Sequence, residues 1–78
     1  MLITGSQIRA ARAILGWSIS DLSRASGIGT TTLKRYESSV DMTSALSHYV
    51  SHLVKIFEGE GVSFINNGKL EIGILYKH

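Results

Sequence analysis

Seventy-eight residues leave room for one small domain spanning 1–78, and a composition of 44% hydrophobic and 18% charged residues belongs to a folded chain, not a disordered one. No cysteine is present, which excludes disulfides, thiolate metal sites and cysteine nucleophiles. The net charge of +2 divides unevenly: Arg9, Arg12, Arg24, Lys34 and Arg35 against Asp21 and Glu37 leave residues 1–40 at +3, while residues 41–78 stand at −1.

The first predicted helix runs from about Ser6 to Leu15, with Ile8, Ala11 and Leu15 on one stripe and Ile14 alongside. Thr4 or Ser6 can cap it, and Gly16 stops it. A second helix follows the capping sequence Ser18-x-x-Asp21, turns Leu22 and Ala25 inward and ends at Gly27. After Gly27-Ile28-Gly29, Thr30 to Glu37 form a third helix with Leu33 and Tyr36 inward. The longest helix, about Thr43 to Glu58, carries the stripe Leu46, Val50, Leu53 and Phe57, edged by Tyr49 and Ile56. Gly59 and Gly61 break it, and the period then changes from helix to strand. Val62 to Ile65 is a short strand, Asn67-Gly68 has the chemistry of a two-residue type I′ turn, and Lys69 to Tyr76 is a longer strand. The fold class is therefore mainly α, with helices over 1–58 and a small C-terminal β-hairpin over 62–76.

The informative stretch runs from Gly16 to Glu37. A helix of about eight residues, a short glycine-containing turn and another short helix form a helix-turn-helix. Ser23 is small enough for the two helices to cross closely, Gly27 can take the positive φ of a sharp turn, and Leu33 anchors the second helix. The outward face of that helix presents Thr30, Thr31, Lys34 and Arg35 without a carboxylate. Short hydroxyls and long basic donors suit base edges and phosphates in a major groove. A plain helical hairpin that binds only proteins is the competing reading.

The same residues carry a resemblance. Arg12, Gly16, Ser18, Leu22, Gly27, Ile28, Leu33, Arg35 and Glu37 fall in the spacing of the Cro and phage-repressor-like (XRE-type) helix-turn-helix family, over about Gln7 to Glu37. The resemblance implies a lambda-repressor-like helix-turn-helix bundle of about four helices plus two strands, with Thr30 to Glu37 as recognition helix. It implies DNA contacts from Thr30, Thr31, Thr32, Lys34 and Arg35 of that helix, with Ser18 or Ser20 as the substitute phosphate contact at the start of the second helix, and a buried ion pair between Arg12 and Glu37. Three positions depart from the family. Ile19 replaces the usual phosphate-clamping glutamine, Ser23 stands where alanine is commoner, and Gly29 where a serine or threonine cap is usual.

Other chemistry finds little support. His48 and His52 are four apart, but they share a face with Ser51 and Lys55 opposite the apolar stripe, and nothing obviously completes a metal site. Gly27-x-Gly29 lacks a third glycine and a preceding strand, so it is not a dinucleotide loop. No serine sits in a nucleophile elbow, and no histidine lies in the N-terminal half. No enzymatic activity, cofactor or metal is expected.

The expected function is sequence-specific binding of double-stranded DNA by a dimeric regulator, a repressor that occupies a palindromic operator. The alternatives are the antitoxin of a toxin–antitoxin pair, with a toxin as protein partner, and an interaction module that does not bind DNA. Pairing outward from Asn67-Gly68 exhausts the first strand near Ile72, which would leave Gly73 to Tyr76 with an unpaired edge. Ile72, Gly73, Ile74, Leu75 and Tyr76 are therefore the expected dimerisation segment, and self-association would also support a small core. No apolar run approaches the ~18 residues of a membrane span and no secretory signal is recognisable, so a cytoplasmic, nucleoid-associated protein is expected.

Overall fold

The computed structural model describes residues 3–38, 47–66 and 72–77. Four helices, α1 (Gly5–Leu15), α2 (Ile19–Ser26), α3 (Thr30–Glu37) and α4 (Ser47–Gly59), precede a two-stranded antiparallel sheet of β1 (Val62–Asn66) and β2 (Ile72–Tyr76). The expected start of the fourth helix at Thr43, its Leu46, and the Asn67-Gly68 turn lie outside the described residues.

Each helix boundary has a local cause. Thr4 and Gln7 form a reciprocal capping box at the start of α1, and the left-handed Gly16 closes it. Ser18 and Asp21 form the same device at α2: the Asp21 N–H donates to Ser18 Oγ at 3.0 Å, and the Ser18 N–H to Asp21 Oδ2 at 2.8 Å. Gly27 ends α2 with φ at 74°, a left-handed conformation that a side chain would strain.

One core joins all the elements. Ile8 and Ala11 from α1, Leu22 from α2, Leu33 from α3, and Leu53 and Phe57 from α4 are fully buried, and Val62 of β1 joins them. Trp17 packs against Phe57 with ring centroids 5.9 Å apart, and Phe57 meets Phe64 edge-on at 5.7 Å. This aromatic row connects the loop before α2, through α4, to the hairpin. Ile14 lies outside the core at 41% exposure, so the inner stripe of α1 is Ile8 and Ala11, with Leu15 half-buried.

Two expectations need correction. The inward residue of α2 beside Leu22 is Ser26, not Ala25, which is exposed. Apolarity favoured the alanine; the fold instead turns a serine inward because its hydroxyl has a partner there. The hairpin also does not pair outward from Asn67-Gly68. Its register matches Val62 with Tyr76, Phe64 with Ile74 and Asn66 with Ile72. A two-residue turn would have set Phe64 beside Glu71 and Val62 beside Gly73. The observed register differs from that one by an odd number of residues, which exchanges the faces of β2. It sets Ile74 and Tyr76 beside the buried Phe64 and Val62, so the apolar face decides over the turn chemistry. Because Ile72, Gly73, Ile74, Leu75 and Tyr76 all pair with β1, the unpaired overhang expected at Gly73–Tyr76 does not exist.

Candidate nucleic-acid interface

Helix α3 is fixed from behind and open in front. Leu33 and Tyr36 are buried in the core, and Glu37 is buried at 8% exposure. Thr31, Lys34 and Arg35 are exposed, and Thr30 and Thr32 are half-buried. These five residues lie on one eight-residue helix. Helix α3 itself adds no carboxylate to the open face, because its one acidic residue, Glu37, is turned inward. Gly29 offers the first-turn N–H groups of α3 no side-chain cap, and the positive end of the helix favours anions. Ser18 lies exposed at the opposite end of α2, where its oxygen is engaged as the cap.

Glu37 meets Arg12 in a two-pronged pair, with Nε to Oε2 at 2.7 Å and Nη2 to Oε1 at 2.8 Å. The remaining guanidinium nitrogen, Nη1, donates to the Trp17 carbonyl at 3.0 Å. Arg12 thus ties α1 to α3 and to the loop that starts α2. The hydrogen bond to Glu37 raises the Arg12 pKa above its ordinary value, burial opposes this, and the Glu37 charge adds to it. The guanidinium stays charged.

Asp21 is held below the usual carboxylate range. The Ser18 backbone N–H contributes most, followed by the Ser18 hydroxyl; slight desolvation opposes them, and Arg24 adds attraction. Arg24 forms an exposed ion pair with Asp21, and Arg9 donates to Ser6 Oγ at 3.2 Å on the outer face of α1.

Residues not singled out from the sequence support the frame. The Gln7 side-chain amide donates to the Gly73 carbonyl and to Asn66 Oδ1, each at 2.9 Å, and the same nitrogen lies 3.3 Å from the Ile65 carbonyl. The Thr4-x-x-Gln7 capping spacing was the available signal, though it shows nothing of the hairpin partners. His48, Ser51, His52 and Lys55 form an exposed face of α4, and a ring N–H of His52 donates to the Ser26 carbonyl at 3.0 Å. Among the described residues, no group of three or more His, Cys, Asp or Glu is arranged to hold a metal. No described helix is long and apolar enough to cross a membrane.

Comparison with known protein families matches residues 8–47, half of the chain, to the family described as Helix-turn-helix. The chain belongs to the Cro/repressor-like (XRE-type) helix-turn-helix family. That family's work is DNA-binding transcription regulation, and in this helix-turn-helix protein the matched stretch contains α2, the turn and α3. Comparison with curated proteins gives no match.

Proposed function

We propose that this helix-turn-helix protein binds double-stranded DNA sequence-specifically as a dimer and represses transcription by occupying a promoter. The observation that carries the reading is the open face of α3, where exposed Thr31, Lys34 and Arg35 have no ion pair with a carboxylate among the described residues while Leu33, Tyr36 and Glu37 hold the helix to the core. Thr30, Thr31, Thr32 and Arg35 read base edges in the major groove, Lys34 meets phosphate, and Ser18 approaches the backbone at the start of α2. Blocking polymerase access by occupying the promoter is the simplest mode of action for a domain of this kind.

Dimerisation rests on different grounds from the strand overhang. Among the described residues the sheet has two strands, so β2 has no strand partner on its other side, and Leu75 and Ile65 are exposed at 57% and 45%. An edge with neighbouring apolar residues favours pairing with a second copy.

Selection from a random duplex pool, followed by salt titration, tests the function. A selected sequence should emerge, with a steep fall of affinity with salt. Arg35→Ala should cost about 1–3 kcal/mol on the selected site and relax its preference. Lys34→Ala should weaken all duplexes alike and lower the log–log salt slope by about 0.9. Equal binding by the wild type and both variants would overturn the assignment.

A further inference from the structure

The turn between α2 and α3 has a polar frame of its own. Ile28 lies in it with only 4% exposure, so its main chain is drawn inward with the side chain. Neither helix takes up its polar groups. The closing bond of α2 runs from the Gly27 N–H to the Ser23 carbonyl at 2.8 Å, and the first of α3 from the Leu33 N–H to the Gly29 carbonyl at 3.1 Å. A main-chain N–H and C=O so placed need partners. Ser26 Oγ accepts from the Ile28 N–H at 3.1 Å, and Ser23 Oγ donates to the Ile28 carbonyl at 2.7 Å. Two hydroxyls three residues apart on α2 therefore clasp both polar groups of one turn residue. From the other side, His52 of α4 holds the Ser26 carbonyl.

We infer that Ser23 and Ser26 are positioning residues for base recognition: by clasping the Ile28 main chain they fix the angle at which α3 leaves α2. The inference rests on the DNA-binding reading of α3. Ser26 is buried and Ser23 half-buried, and both belong to α2, not to the open face of α3. Their influence reaches the duplex through the turn. Bonds to base edges are steeply directional, so a helix free to rock loses discrimination between sequences. A long lysine on a phosphate tolerates the same motion, so general affinity is retained.

The test uses the full chain, the duplex that the wild type selects, and a scrambled duplex of equal length. Ser23→Ala, Ser26→Ala and their combination are compared with Ser23→Thr, which keeps the hydroxyl; if the double variant does not fold, the single variants carry the comparison. In the clasp-free chain the preference for the selected duplex should fall about fivefold to tenfold, as loss of a hydrogen bond's net worth implies. Affinity for the scrambled duplex and its salt slope should not change, Ser23→Thr should recover the preference, and the Ile28 amide should exchange faster once Ser26 Oγ is removed. An unaltered preference, or an equal loss on both duplexes, would overturn the inference while leaving the DNA reading intact. A wild type that prefers no duplex would overturn both.

Discussion

Arg12 uses all three guanidinium nitrogens, two on the Glu37 carboxylate and one on the Trp17 carbonyl. Such a fork cannot be reproduced by the single ammonium of lysine. Glu37 is 8% exposed and Arg12 21%, so removing either leaves the other charge without compensation in a poorly solvated place. Glu37→Ala should therefore destabilise the chain by about 3–5 kcal/mol, measured by urea unfolding; a variant that melts like the wild type would show that solvent already screens the pair. The two residues lie 25 positions apart, and no local pattern links them. Only the family resemblance brought them together at the sequence level. The Ser23 and Ser26 clasp was less legible still. A serine in a helix advertises no particular partner, and the Ile28 groups it satisfies exist only once the turn has formed.

At the scale of elements, glycines and capping residues marked both ends of α1 and α2 and the start of α3 because those signals act within a few residues. The capping box of α2 also has a pH consequence. Asp21 has a lowered pKa in the folded chain, so it binds protons less readily there than in the unfolded chain. Its contribution is present above the ordinary carboxylate range and is lost as pH falls through the lowered value. Acid melts of wild type and Asp21→Asn should converge at low pH and separate towards neutrality, with the wild type the more stable; parallel curves would contradict this. Gly61 sits at the mouth of the hairpin with φ at 92°, and its carbonyl accepts from the Lys77 N–H at 2.8 Å. A Cβ there would overlap the Lys77 carbonyl oxygen, which is backbone and cannot swing away. Gly61→Ala should cost more than the roughly 1 kcal/mol of an ordinary glycine replacement and loosen the β1–β2 pairing, read by amide exchange in Val62–Asn66. Sequence reading found the two strands but not their register, since the turn signal is local and the face that must be buried is decided by α1 and α4.

The described residues contain one helix-turn-helix and extend 32 × 32 × 19 Å, about the length of one turn of B-DNA, so on the proposed reading a single copy offers α3 to one major groove. Reading two half-sites about 34 Å apart requires a second copy. The full chain should sediment as a dimer at micromolar concentration, and Leu75→Lys, which places a charge on an exposed position of β2, should sediment as a folded monomer with weakened binding to the selected duplex. A monomeric wild type would end the proposal. Gln7 bears on assembly in time as well as in space. Its amide joins the first turn of α1 to the Gly73 carbonyl, a contact spanning 66 positions, whereas the contacts within α2, the turn and α3 close over a few residues. During synthesis the short-range unit can condense while the hairpin is still inside the ribosome, but the latch on Gln7 must wait for β2 to emerge. The first turn of α1 is thus made ahead of every other described helix and strand, yet is among the last to acquire its final partners.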